Sequence, residues 1–211
     1  MAAQNSEELF TLHDLTPGVT FKLSDASTIT WIYLGEAYGN ALMLREYLLG
    51  TTYKMWDTTT TNADYDGSNV DTYLIGSFYD AQSAATKSIL SDSAISVITY
   101  DGSASAQKTL NRKVFILNAT EANTTFIDAL KAFYNTSSVN NARVAKPSGG
   151  SASTWWLRDA YTSNTNRMRV VQTSGDITYA QGTGKNYVRP VISLLTTTKV
   201  ALVDGLYVAR P

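Results

Sequence analysis

Apolar and polar positions change register many times along the 211 residues, and the runs between the changes are short. Ile29 to Leu34 and Ala41 to Tyr47 are β-branched, aromatic or aliphatic runs separated by Gly35 and Gly39-Asn40, which predicts two adjacent antiparallel strands. Ile95 to Tyr100 and Val114 to Leu117 are further runs of strand length, divided by an Asp101-Gly102-Ser103 turn and a small-residue loop. Strand-like material recurs at Trp155-Trp156-Leu157, Met168 to Gln172, Ile177 to Tyr179 and Val188 to Leu194, with Ser174-Gly175-Asp176 and Gly182-Thr183-Gly184 as turns. Val200 to Val208 reads as a hairpin around Asp204-Gly205, a dipeptide that tolerates the left-handed backbone of a tight turn. Two stretches carry helical spacing: Val70, Tyr73, Leu74 and Phe78 after Ser68, and Phe126, Ile127, Leu130 and Phe133 after Thr125 as a cap. Two short helices, many short strands and no βαβ alternation predict an α+β domain.

The expected organisation is an N-terminal arm over 1–23, a domain over 24–195 and a C-terminal hairpin extension over 196–211. The arm carries Leu9, Phe10 and Leu12 as scattered apolar anchors, a Pro17-Gly18 turn signal, and Glu7-Glu8 as a solvated pair. No internal repeat is visible. Seventeen Lys and Arg against eighteen Asp and Glu leave a net charge of −1, which lacks the footprint of a nucleic-acid or anionic-membrane binder. The polar surface is mostly Ser, Thr and Asn, since charged residues are 17% where roughly 25% is usual.

With no Cys, thiolate nucleophiles, disulfides and zinc-cysteine sites are excluded. His13, the only His, lies in a polar stretch and not in a cleft-forming segment, so a Ser-His-Asp triad is not expected. Neither an enzyme nor a cofactor is expected. No apolar run approaches the roughly 18 residues of a membrane span, and Met1 to Phe10 lacks the pattern of a signal peptide; cytoplasmic synthesis without membrane insertion is the expectation.

Four groups of residues invite functional readings. Trp155 and Trp156 offer rigid aromatic surface for a ligand, but neighbours in a strand point to opposite faces, so at least one belongs to the core and a structural role is preferred for both. Arg158 and Arg189 are expected to bridge strands or cap loops, with a donor fork for a ligand carboxylate as the alternative. Asp64, Asp66 and Asp71 alternate around Gly67 as in an oxygen-rich calcium loop. An Asp-Gly turn feeding a capped helix explains the same residues, and no metal is expected. The stretch from Tyr161 to Tyr187 has the composition of a binding rim: Tyr gives contact area at low entropic cost, and Ser, Asn and Gly give adaptable hydrogen bonds. The candidate ligand-binding residues are Tyr161, Asn164, Asn166, Arg167, Tyr179, Lys185, Asn186 and Tyr187.

Trp155-Trp156-Leu157-Arg158, followed by Gly175 and Val188-Arg189-Pro190-Val191, resembles a domain-of-unknown-function family widespread in phages and Gram-positive bacteria. Trp31, Tyr65-Asp66-Gly67-Ser68 and Lys113 to Asn118 fit the same pattern, which spans about Ser24 to Leu195. Trp31, Trp155, Trp156, Arg158, Arg189 and Pro190 are its structural signature here. The resemblance implies a C-type-lectin-like fold, two short helices on small antiparallel sheets, similar to the formylglycine-generating-enzyme group and the retroelement-diversified phage proteins. The cysteines of the enzyme subtype and the calcium-binding loop of the lectin subtype do not occur.

What the resemblance implies about function is a non-enzymatic virion protein of the tail or capsid. Its loops would attach to a host-surface protein or glycan, and a homo-oligomer is expected. The alternative is a purely structural protein that binds other virion subunits, favoured by the arm and the terminal hairpin.

Overall fold

The structure, a computed structural model, describes residues 8–211. Residues 1–7 of the expected arm, Glu7 among them, lie outside the described residues. The described chain begins with β1 (Leu9–Thr11), a 3-10 turn at Leu12–Asp14 and β2 (Thr20–Lys22). The expected hairpin follows as β3 (Trp31–Ala37) and β4 (Asn40–Arg45), closed by Tyr38 and Gly39 with φ of 57° and 76°, the two left-handed residues of a type I′ turn. After β5 (Thr52–Tyr53) comes α1 (Asn69–Tyr73), which runs on into a π-helical turn at Leu74–Phe78. Ser68 caps it as expected, its hydroxyl accepting from the Asp71 N–H at 3.1 Å.

The chain continues through α2 (Ala84–Ile89), β6 (Ser93–Tyr100), β7 (Ser105–Arg112) and β8 (Val114–Phe115), then a π-helical turn at Glu121–Thr125, α3 (Ile127–Tyr134) and α4 (Val139–Arg143). It finishes with β9 (Trp155–Ala160), β10 (Arg167–Val171), β11 (Ile177–Gln181), β12 (Asn186–Tyr187), β13 (Val191–Leu194), β14 (Lys199–Val203) and β15 (Leu206–Ala209). The Asp204-Gly205 turn joins the last two strands, again with both φ positive, at 49° and 79°.

The sheets correct the expected fold. One sheet has eight strands in the order β1-β14-β15-β2-β3-β4-β13-β8, and it is mixed because β15 pairs with β2 in parallel. A second has five strands, β11-β10-β9-β12-β5, and a third is the β6-β7 hairpin. The chain is α+β, but an eight-stranded mixed sheet with five helical stretches is not the C-type-lectin-like arrangement of two short helices on small antiparallel sheets. The segments expected as arm and extension enter the large sheet as β1, β2, β14 and β15. The region expected as a small-residue loop is β7, paired along its length with β6. Thr125 does not cap α3. It closes the preceding π-helical turn, and the Phe126 N–H is already bonded to the Glu121 carbonyl at 3.0 Å, so the helix starts on the end of that turn.

A buried cluster holds the sheets together. Trp155, Trp156, Leu157 and Arg158 are all inaccessible to solvent, because β9 is covered on both faces. The Trp156 Nε1–H donates to the Tyr53 carbonyl at 2.7 Å and the Trp155 Nε1–H to the Arg143 carbonyl at 3.3 Å. An irregularity in the β9–β10 pairing between Met168 and Val170 frees the Arg158 N–H to bond the Leu117 carbonyl at 3.0 Å, away from its own sheet. The Arg158 guanidinium then donates to the Ser96 carbonyl at 2.8 Å, the Ile116 carbonyl at 2.6 Å and both oxygens of Glu121 at 2.5 Å. Glu121 also accepts from the Tyr38 hydroxyl and, at 2.9 Å, from the Asn118 N–H. Burial, reinforced by the Glu121 charge, pushes the Tyr38 phenol up to about 12. The two signature strands meet where the Arg189 guanidinium lies 5.6 Å from the Trp155 ring. Arg189 also donates to the Arg45 and Glu46 carbonyls and the Tyr134 hydroxyl. Pro190, buried beside it, accepts from the Arg45 N–H at 2.8 Å.

The acidic loop has its own counter-charges. Arg112 holds Asp71 in a two-point contact at 2.9 and 2.8 Å and reaches Asp66 at 2.7 Å, while Lys108 bonds Asp64 and Asp66 at 2.5 and 2.9 Å. Both cations come from β7. Among the described residues, no group of three or more His, Asp or Glu side chains is placed to hold a metal, and no helix is long and apolar enough to cross a membrane.

Candidate binding face

Strand β10 alternates along its length: Met168 and Val170 point into the core, so Arg167 and Arg169 must leave the opposite face of the sheet. The antiparallel register sets Tyr179 of β11 directly across from Arg169, and Gln181 across from Arg167. Tyr161, just beyond β9, supplies the fourth side chain. Its ring stacks on that of Tyr179 with centroids 4.1 Å apart and planes tilted by 30°. The Arg169 guanidinium lies 5.2 Å from the Tyr161 centroid and that of Arg167 lies 4.6 Å from the Tyr179 centroid. The result is a stack of two cations and two rings, in which each guanidinium is held by a π face.

The turn behind the stack is fixed by its own hydrogen bonds. The Asn164 side-chain oxygen accepts from the Asn166 N–H at 2.8 Å, that of Asn166 accepts from the Thr60 N–H at 2.7 Å, and the Tyr161 N–H donates to the Arg167 carbonyl at 3.0 Å. Asn164 and Asn166 therefore shape the face and anchor it to the loop before α1; their acceptor oxygens are already engaged.

An open groove of about 440 Å³ continues from the stack, bounded by Thr120, Asn123, Thr124, Arg143, Arg169 and Ile177. Arg143 reaches it from α4 because Gly175 lets the β10–β11 turn close onto that helix. Gly175 has φ of 84°, and a Cβ there would fall 1.9 Å from the Asn140 carbonyl oxygen. The Arg143 guanidinium donates to the Gly175 carbonyl at 2.7 Å, to Asn123 at 2.5 Å and to Asn140. Its acceptors are neutral, and burial lowers its pKa, with the nearby Asp176 charge opposing. Asp159, buried behind the groove, has its pKa raised by burial and accepts from the Ala119 N–H at 2.8 Å. Among the described residues, no ion pair engages Arg143, Arg167 or Arg169. A chain of net charge −1 thus collects three arginines on one face with no carboxylate paired to them.

Of the eight expected ligand residues, Tyr161, Arg167 and Tyr179 come together. Lys185, Asn186 and Tyr187 do not join them: β12 lies beyond β9 and β10, at the far side of the sheet from β11. There Asn186 and Tyr187 pair with Tyr53 and Thr52 of β5, Tyr187 packs against the core, and Lys185 is exposed beside them. The sequence reading missed Arg169, Arg143 and Asn123. Period-two alternation with Met168 and Val170 marks Arg169 as a partner of Arg167, whereas nothing local marks Arg143, which arrives through the Gly175 contact.

The face can bind and orient a ligand, and the histidine lies elsewhere. His13 is exposed and bonded to Glu36 at 2.8 Å near the end of β3. No curated protein and no solved structure matches the chain. The model of the domain of unknown function DUF6273 matches residues 38–196, a span that contains both signature strands, and with about three quarters of its length so matched the chain belongs to the DUF6273 family.

Proposed function

We propose that the chain is a non-enzymatic attachment module of a bacteriophage particle, and that its Arg169-Tyr161-Tyr179-Arg167 face grips acidic groups of a host-surface glycan. The single observation behind the binding reading is the stack itself. Its ring faces are already covered by guanidinium groups, so what it offers a partner is a pair of pre-oriented donor edges and not a bare platform for neutral sugars. Pre-orientation lowers the entropy lost when a carboxylate or phosphate is bound, and Arg143, whose nitrogens are hydrogen-bonded within the fold, adds positive charge along the groove. The particle setting and an oligomeric assembly rest on the resemblance of the signature strands to phage proteins.

Purified protein run over polygalacturonate beads and neutral dextran beads tests this. Retention on the acidic polymer alone, weakening as salt is raised and lost in the Tyr161→Ala, Tyr179→Ala double variant with an unchanged melting temperature, is expected. Equal retention on both polymers, or on neither, contradicts it. A second reading, contact with another virion subunit, is favoured by Leu9 and Leu202, which are 48% and 52% exposed at the β1–β14 edge of the large sheet. Self-association or subunit binding lost in a Leu9→Ser, Leu202→Ser variant would favour that reading.

A further inference from the structure

Away from the binding face, one cross-strand pair presents donors with no acceptor. Trp31 of β3 and Arg45 of β4 are directly opposite in the hairpin register, so their side chains leave the same face of the sheet. Both line one cavity of about 260 Å³. Trp31 is 1% exposed, yet its Nε1–H has no hydrogen-bond acceptor. The half-buried Arg45 has an orphaned Nε–H, and among the described residues no hydrogen bond or ion pair engages its guanidinium. Burial penalises that charge and lowers its pKa, and the opposing contribution comes from Tyr73, not from a carboxylate.

Among the described residues, no carboxylate lines the cavity. The two closest in sequence to its walls are engaged elsewhere: Asp25 pairs with Arg210 at 3.2 Å, and Glu46 accepts from the Thr30 hydroxyl. The remaining wall is mixed: Leu23, Ile29 and Phe78 are its large apolar side chains, and hydroxyl and amide groups such as those of Ser27, Gln82 and Thr86 lie between them. Two kinds of surface therefore converge: a cross-strand pair of a cation and an indole, each with an unpartnered N–H, and a set of large apolar side chains.

We propose that this cavity is a binding site for a small organic carboxylate with an apolar body. The Arg45 fork takes the two oxygens, the Trp31 N–H donates to one of them, and Leu23, Ile29 and Phe78 enclose the hydrocarbon part. The donor inventory favours a carboxylate over a phosphate. Arg and Trp together match two oxygens in a plane, and among the described residues Arg45 is the one cation of the lining, so the second negative charge of a phosphate would have no counter-charge. The volume lies near the lower end of ligand sites, at roughly 300 Å³, which fits an acid of a few carbons or a single ring.

Benzoate and 3-methylbutanoate are the probes, with benzamide and inorganic phosphate as controls, in calorimetric titration and thermal melting of the whole chain. At least one acid is expected to bind saturably and raise the melting temperature, while benzamide and phosphate do neither. Arg45→Gln is expected to weaken binding by about tenfold or more, because a charge-assisted fork is lost. Trp31→Phe, which keeps an aromatic wall of smaller area and deletes the N–H donor, is expected to weaken it by about fivefold. Should Arg45→Gln fail to fold, Arg45→Lys retains the charge without the fork and is expected to bind more weakly than the native chain. The Tyr161→Ala, Tyr179→Ala variant is expected to bind the acids normally, so failure here and failure of the binding face are told apart. Saturable binding of neither acid, an affinity unchanged by Arg45→Gln, or preference for phosphate would overturn the proposal.

Discussion

Arg158 and the Arg167-Arg169 pair are the same chemistry in opposite surroundings. Arg158 is inaccessible to solvent, meets Glu121 in a two-point ion pair and spends its other donors on the Ser96 and Ile116 carbonyls. Those acceptors belong to different parts of the fold, so one guanidinium ties β9 to the β6–β7 hairpin, to the segment after β8 and to the π-helical turn. Arg167 and Arg169 rest on tyrosine faces, and among the described residues no acceptor engages their N–H edges. The comparison separates an arginine that closes a structure from arginines that a structure holds open. Cation–π support fixes a guanidinium in place and leaves its donors unspent, whereas a buried carboxylate consumes them.

The largest test of this contrast removes the carboxylate from the closed cluster. Glu121→Ala leaves Arg158 charged and buried, and urea unfolding is expected to show a loss of about 3–5 kcal/mol. A loss under about 1 kcal/mol, the scale of an exposed pair, would place Arg158 in the same class as the surface arginines. Next in size is the pair between Asp71, fully buried, and Arg112. Asp71→Asn keeps the shape and removes the charge, and the same measurement is expected to register about 2 kcal/mol. Should the cost match that of Glu121→Ala, partial exposure of Arg112 makes no difference and the contrast is blunter than drawn here.

At the small end stands His13, exposed and hydrogen-bonded to Glu36, which raises the imidazole pKa above 6.5. A raised folded pKa stabilises the protein fully below the unfolded value and loses that contribution as pH climbs through the folded one. The native chain is therefore expected to melt slightly lower above neutrality than at mildly acidic pH, and His13→Gln to remove only that slope. A slope unchanged in the variant assigns it to another group.

Local chemistry made some of this legible from sequence. The β3–β4 and β14–β15 hairpins follow from apolar runs around short turns, and the Ser68 cap follows from residues within three positions of each other. Strand β7 escaped because its side chains, from Ser105 to Arg112, are largely polar and exposed, so no apolar alternation marks it, and its ionic partners lie about forty positions earlier. The large sheet escaped for a related reason. The β2–β15 pairing joins the two ends of the chain, and no window of a few residues contains it. The lectin-like arrangement of strands expected from the sequence therefore does not hold.

At the site, composition singled out Tyr161, Arg167 and Tyr179, and simple alternation along β10 would have added Arg169. Lys185 to Tyr187 were grouped with them by nearness in sequence, which the strand order undoes. The calcium-like spacing of Asp64, Asp66 and Asp71 records their pairing with Lys108 and Arg112, charges that no local motif displays.

The contrast is tested most directly by measuring folding stability and polygalacturonate affinity on one variant, Arg167→Gln with Arg169→Gln. Stability within about 1 kcal/mol of the native chain, together with a loss of affinity of about tenfold or more, is the expected result. Affinity left intact, or stability lost on the scale of Glu121→Ala, would contradict the separation of binding arginines from the one that holds the fold together.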